Sequence, residues 1–277
     1  MESTPYEETV LAWRSRLDRA LRAEEGWLAL AALIWLQEGE NVLGSGPECD
    51  IRVPEPLAPP RLGTLTLRDG EATLSLARGV EGTFDGDAAR TRRMAPDSEG
   101  PPTRARVGRL TLAVIRRGER WGLRAWDREH PARTDFPGRE WYAVDPAYRV
   151  EARFVRFDPP RRIAIPNVLG DEDQADSPGA VEFTLGGQPT RLVATSGGAN
   201  GLFLCFRDAT SGVTTYGSGR YLETGRPSGD TVVVDFNRAY NPPCAFTPYA
   251  TCPLPPEGNA LAQAVEAGER VPPARAG

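Results

Sequence analysis

A chain of 277 residues, 40% hydrophobic and 26% charged, is long enough to bury a substantial core and suggests roughly two domains. Its 29 glycines and 26 prolines imply many turns, and the net charge of −5 carries no basic stripe of the kind that binds nucleic acid. All 33 basic residues are arginine, which excludes a Schiff-base or pyridoxal-phosphate lysine and the lysine of a G-x-x-x-x-G-K-[ST] phosphate loop.

His130 is the single histidine, so a multi-histidine metal centre is excluded, and its setting between Glu129 and Pro131 reads as an exposed turn. The longest apolar run, Trp27 to Leu36, is roughly half of what a helix needs to cross a bilayer. Residues 1 to 8 carry acids and no basic cluster, unlike a secretory signal. Cys49, Cys205, Cys244 and Cys252 are too few for a disulfide scaffold, so a reducing cytoplasm is the expected compartment.

Thr4, Pro5 and Glu7 form an N-cap, a first-turn proline and a capping-box acid ahead of Val10, Trp13, Leu17 and Leu21, which predicts an amphipathic helix over 5–24. Residues 27–36 are ambiguous by periodicity. Beyond Glu38 the pattern changes to short alternating segments, and strands are predicted over 62–67, 72–76, 109–115 and 121–125. Residues 128–162, rich in proline, acids and aromatics, read as a connector, and Asp171, Glu172, Asp173 and Asp176 as a solvated loop without the glycine and glutamate of a calcium site. Strands follow at 180–185, 191–195, 202–207, 213–223 and 231–236, an antiparallel meander expected to curl into a β-barrel or curved sandwich. Asn259 and the spacing of Leu261, Ala264 and Val265 predict a short helix over 259–270. The expected organisation is therefore mainly β: an N-terminal helix and apolar segment (1–36), a β-sandwich (37–130) and an antiparallel β domain (131–277).

On a strand over 216–223, alternation puts Tyr216, Ser218, Arg220 and Leu222 on one face and Tyr221 and Glu223 on the other. The next strand ends in Asp235 and Asn237, polar groups suited to the rim of a cavity, and Arg220 opposite Asp235 would make a buried ion pair or an anion site. Tyr240, Asn241, Cys244 and Cys252 follow in a loop too rich in aromatics, prolines and cysteines to be a disordered linker. Cys244 and Cys252 are eight apart, which is not zinc-knuckle spacing, and no metal site is expected.

The stretch QEGENVLGSGPECDIRVP (37–54), with VGRLTLAVIRRGERWGLRAWD (107–127), resembles a forkhead-associated domain, a β-sandwich whose family reads phosphothreonine peptides. Ser45 stands where that family carries an arginine, and Pro59, Pro60, Arg61 and Leu62 replace its Ser-Arg-x-His signature, so the resemblance implies the scaffold without the phosphate-binding side chains. The residues YGSGRYLE (216–223), VVVDFNRAYNPPCAFTPYATCPLPPEGN (232–259) and AGE (267–269) resemble the bacterial family called domain of unknown function 1684, and the likeness extends to WLALAALIWLQEGENVLGS near the start. That resemblance groups Arg220, Glu223, Asp235, Asn237, Tyr240, Asn241, Cys244, Cys252 and Asn259 and assigns none a role. Three functions stay open. One is binding of a small polar or anionic ligand by the grouped residues and Tyr216, with hydrolytic chemistry using Asp235 or Glu223 as base. A second is a protein-interaction module with a structural C-terminal motif. The third is a thiol redox protein in which Cys244 and Cys252 lie within disulfide reach. The cofactor is unassigned, and neither nucleic acid nor membrane is an expected partner.

Overall fold

The computed structural model describes residues 4–273. Helix α1 (Pro5–Leu21) begins where the sequence places it. Thr4 Oγ1 accepts from Glu7 N at 3.2 Å and Thr4 O from Glu8 N at 3.0 Å, and the two glutamates lie at the positive end of the helix dipole. Eleven strands follow: β1 (Leu30–Trp35), β2 (Gly39–Gly44), β3 (Ile51–Arg52), β4 (Gly63–Arg68), β5 (Glu71–Leu76), β6 (Thr83–Phe84), β7 (Asp87–Ala88), β8 (Thr91–Arg93), β9 (Ala105–Val107), β10 (Leu110–Arg117) and β11 (Arg120–Asp127). After the short helix α2 (Ala132–Asp135) come β12 (Arg149–Pro166), β13 (Glu172–Leu185), β14 (Gln188–Ser196), β15 (Leu202–Phe206), β16 (Arg220–Glu223) and β17 (Thr231–Asp235). The protein is mainly β.

The chain divides into two compact units, one formed by residues up to 19 together with 137 onward, the other by residues 20–136. In the second unit the sheets run β1-β11-β10-β9-β6-β7 and β3-β2-β4-β5-β8. Leu65, Leu67, Ala72, Leu74 and Leu76 from one sheet and Phe84, Leu112, Val114 and Leu123 from the other belong to one buried cluster, as alternation on β4 and β5 demands. The ambiguous apolar run resolves into a 3₁₀ turn (Trp27–Ala29) and β1, which pairs antiparallel with β11. His130 Nδ1 accepts from Ala132 N at 3.1 Å, so the lone imidazole closes a turn.

The first unit carries one antiparallel sheet ordered β16-β15-β14-β13-β12-β17. Two sequence expectations fail in it. Residues 149–162 of the expected connector and Glu172, Asp173 and Asp176 of the expected loop lie in the two arms of a long hairpin, β12 and β13, in which Arg162 meets Asp176 at 3.1 Å and Asn167 closes the tip by accepting from Leu169 N (2.9 Å) and Asp171 N (3.3 Å). Charge hid the strand pattern, since exposed charged arms look like solvated loops. Pro159 and Pro160 fall in the register break between Arg156 and Arg161, as expected of residues without a backbone N–H to donate. The second failure is the helix over 259–270, which is irregular backbone. Asn259 does not cap a helix: its side chain accepts from Val193 N (2.8 Å) and donates to Val193 O and Cys205 O (both 2.9 Å).

Asn259 is fully buried and ties β14, β15 and the C-terminal segment together with those three bonds. Replacing it with alanine strands three buried backbone groups, and Asn259→Ala should lower unfolding free energy by about 2–4 kcal/mol in urea titration, with Asn259→Asp little better because it restores no donor.

Candidate functional site

The predicted strand over 213–223 is shorter than expected. Residues 216–219 form a turn, with Gly219 N donating to Tyr216 O at 3.0 Å, and only β16 is extended. Gly219 has φ +96°, and a Cβ there would lie 2.6 Å from Phe206 O, so the turn requires glycine. The turn breaks the expected alternation. Arg220 faces the interior at 0% exposure and pairs with Asp208, not Asp235: Nη2 to Oδ2 is 2.8 Å, and both side chains are fully buried.

That pair is a backbone clasp. Arg220 Nη2 also donates to Val265 O (2.9 Å), and Nη1 donates to Ala267 O and to Glu269 O (3.3 Å). Asp208 Oδ1 accepts from Val265 N (3.2 Å), Thr210 N (2.8 Å) and the Thr210 hydroxyl. The guanidinium thus binds three main-chain carbonyls of the irregular C-terminal segment. Burial pulls the Arg220 pKa down, against Asp208, which holds it up.

Asp235 and Asn237 belong to a second knot. Asp235 Oδ1 accepts from Tyr6 OH (2.8 Å) and Asn237 N (3.2 Å), and Oδ2 lies 3.4 Å from Arg238 Nε. Asn237 donates to Tyr6 OH (3.0 Å) and Asp145 O (2.8 Å) and accepts from Asp145 N (3.0 Å), while its carbonyl accepts from Arg14 (3.0 Å). Burial, and then Asp235, pushes the Tyr6 phenol up to about 12.

A third knot centres on Glu269, which the sequence reading quoted in its AGE motif but did not select. Its Oε2 accepts from Arg139 Nη1 (2.7 Å) and Asn241 N (2.8 Å), and Asn241 Nδ2 donates to Arg270 O (2.7 Å). Glu269 Oε1 and Asn241 Oδ1 are buried without a partner. Gly268 before it has φ +80°, and a Cβ would meet Ala239 O at 2.5 Å. Burial drives the Glu269 carboxyl up to about 7, opposed by Arg139 and the Asn241 N–H.

The remaining predicted residues gather around two thiols. Cys244 N donates to Cys252 Sγ at 3.2 Å, which brings the two cysteines together. Tyr216 OH donates to Cys244 O (3.1 Å), and Tyr221 OH to Pro253 O (2.8 Å). The tip of the β12–β13 hairpin seats this loop, with Val168 N on Cys252 O (3.0 Å) and Leu254 N on Pro166 O (2.7 Å). Cys244 is half-buried and Cys252 buried. The neighbouring Cys252 lowers the Cys244 pKa against the opposing effect of burial, and Cys244, followed by burial, raises that of Cys252. Burial pushes Tyr216 up to about 12. Tyr240 OH donates to Glu223 Oε1 at 3.1 Å on an exposed edge, and burial followed by Glu223 raises the phenol.

Thus Tyr216, Cys244 and Cys252 come together, Tyr240 and Glu223 pair, and Asp235 and Asn237 join Tyr6. Arg220, Asn241 and Asn259 each bind backbone. Sequence reasoning missed Asp208, Arg139 and Tyr6, whose partners are 12, 130 and 229 residues away. Among the described residues, no group of three or more His, Cys, Asp or Glu is placed to hold a metal, and no helix is long and apolar enough to cross a membrane.

Comparison with known proteins adds a family. Residues 134–270 match the family described as Protein of unknown function (DUF1684). The DUF1684 match contains every knot residue except those of α1, and it begins after the sandwich, so the likeness expected near the start of the chain lies outside it. No curated protein matches. A solution NMR structure of an uncharacterized protein from Haloarcula marismortui is 36% identical, covering 50% of this chain and 80% of its own, with a TM-score of 0.43. The crystal structure of the FhaA FHA domain complexed with the intracellular domain of Rv3910 is 16% identical over 33% of this chain and 96% of its own, with a TM-score of 0.24.

Two predictions follow from the DUF1684 knots. Arg220→Met leaves Asp208 charged and buried without its partner and should cost about 3–5 kcal/mol of stability, with the Arg220→Met, Asp208→Leu double variant recovering part of the loss. For Glu269 the folded pKa lies above the unfolded one, so folding favours the protonated form. The stability this confers is full below the unfolded value near 4.5 and is lost as pH rises toward about 7. Denaturant midpoints of the wild type should therefore fall relative to those of Glu269→Gln between pH 5 and 8, and parallel profiles would show that Glu269 stays ionised.

Proposed function

We propose that the DUF1684 portion is a dithiol–disulfide redox module, with Cys244 as the attacking thiol and Cys252 as the resolving one. The observation that carries this reading is the 3.2 Å contact of Cys244 N with Cys252 Sγ, and the closeness of the two cysteines lowers the pKa of Cys244 and raises that of Cys252. A thiolate is the nucleophile in such exchange, and the half-exposed member of the pair is the one whose thiolate is favoured. With a hydroperoxide as oxidant, the Cys244 thiolate takes the terminal oxygen, the O–O bond breaks, and the alkoxide leaves as an alcohol after taking a proton. Cys252 then displaces the sulfenic oxygen as water, and the S–S bond forms.

The polar residues first grouped for ligand binding support this reading as a frame. Arg220, Asn237 and Asn259 direct their hydrogen bonds at the protein itself, and Tyr216 and the hairpin tip hold the two cysteine segments in place. For residues 37–130 we propose a forkhead-associated-like scaffold that meets protein partners without reading phosphate. Ser45, at the position of the family's arginine, uses its N–H on Pro59 O at 3.0 Å.

Treatment with a stoichiometric hydroperoxide, followed by differential alkylation and peptide mass mapping, should give one disulfide between Cys244 and Cys252, with Cys49 and Cys205 still free. Cys252→Ser should stop at a sulfenic acid on Cys244 that dimedone captures. Oxidation spread over all four cysteines, or dimedone capture at Cys252 in a Cys244→Ser variant as fast as at Cys244, would sink the proposal.

A further inference from the structure

Beyond its base, the β12–β13 hairpin is a two-stranded ribbon. Residues 161–166 on one arm pair with 172–177 on the other, and among the described residues neither arm pairs with a third strand: β17 meets β12 at residues 149–153, and β14 meets β13 from Gly179 onward. A two-stranded hairpin is marginally stable in water by itself. Most residues of the two arms are exposed, yet Ile165 and Asn167 toward the tip are buried. What holds the tip is the segment at Cys252. Val168 N donates to Cys252 O at 3.0 Å, Leu254 N donates to Pro166 O at 2.7 Å, and Asn167 pairs with Pro253 in an isolated bridge. Asn167 also shapes the tip, its side chain donating to Asp173 Oδ2 (3.1 Å) and accepting from Leu169 N and Asp171 N.

Cys252 is the meeting point: the ribbon binds its carbonyl, and its sulfur accepts from Cys244 N at 3.2 Å. We propose, on the basis of the dithiol reading, that the ribbon positions Cys252 for disulfide closure, so that docking of its tip and the Cys244–Cys252 bond favour each other. A disulfide needs Cα atoms within about 4.4–6.8 Å of each other, and a fixed Cys252 backbone removes part of the freedom that closure would otherwise have to restrict. Coupling of this kind is reciprocal, so the bond, once made, holds the tip in place by the same factor by which the docked tip favours the bond. Val168, through its N–H, and Asn167, through the shape of the tip, are positioning residues that act through the Cys252 backbone. The ribbon then carries the redox state of a half-buried thiol pair out to a charged, exposed surface.

The test equilibrates the full chain with mixtures of reduced and oxidised glutathione and reads the Cys244–Cys252 disulfide by alkylation and mass spectrometry. The Cys244 thiolate attacks glutathione disulfide and releases one glutathione thiol. Cys252 then displaces the second, so two electrons and two protons leave the protein dithiol and two glutathione thiols form. Val168→Pro, which lacks the N–H given to Cys252 O, should lower the equilibrium constant for the disulfide about tenfold, and Val168→Ala, which keeps that N–H, should recover most of the loss. Hydrogen exchange on the wild type needs no substitution: the Val168 and Leu254 amides should exchange about tenfold more slowly in the disulfide form than in the dithiol form. Equal exchange in the two redox states, or an unchanged equilibrium constant in folded Val168→Pro, would overturn the coupling while leaving the dithiol chemistry standing. If no glutathione mixture yields the Cys244–Cys252 disulfide, the redox reading falls and the coupling with it.

Discussion

The arrangement of the C-terminal unit depends on one buried charge pair. Arg220 and Asp208 are both removed from water, an expensive placement that survives because nearly every donor and acceptor on the two groups has a partner. What the pair holds is a length of chain. Without the guanidinium, the carbonyls of Val265, Ala267 and Glu269 would lose these partners in the interior, and the segment would be held against β15 only by Asn259 and the bonds around Arg207. Glu269 reaches Arg139 and Asn241 only because its backbone is fixed there first. The tyrosines and cysteines of the neighbouring loop pack against a frame that Arg220 has already set.

Much of this frame was visible in the sequence, and the reasons for the exceptions are physical. Helix α1, the strands β4, β5, β10 and β11, the inner half of β13, and β14, β15 and β17 were legible because their apolar residues fall in short runs between turn signals or repeat at the helical period. The outer β12–β13 hairpin was not, because its arms are largely exposed and carry charge, with Arg161 and Arg162 on one facing Glu172, Asp173 and Asp176 on the other, in place of an apolar alternation. The helix expected over 259–270 was read from Leu261, Ala264 and Val265, whose spacing fits a helix. The stretch is instead irregular backbone held by Asn259 and by the distant Arg220, contacts that local spacing does not show. Proline before the thiols and glycine before Arg220 and Glu269 did mark places where the backbone turns sharply.

The site shows the same division. Residue types named the participants correctly as a group, while pairing was decided by contacts far apart in the chain. Arg220 with Asp235 was the natural pair on a two-strand argument, but the turn at Gly219 rotates the arginine toward Asp208, leaving Asp235 to Tyr6 and Arg238. No local signal announces Asp208, which follows a strand as an ordinary charged residue. Tyr6 lies on a helix whose apolar stripe gives no hint that its phenol meets a strand end more than two hundred residues later.

Because Arg220 grips main-chain oxygens at alternate positions, 265, 267 and 269, it measures the spacing of the chain and is indifferent to the side chains between. The exposed Glu266 can therefore vary in chemistry while the path of the backbone is kept, whereas Gly268 is held to glycine by its own backbone. A single inserted or deleted residue would move every carbonyl out of register with the fork. The segment is thus constrained as a ruler is, in length as well as in composition.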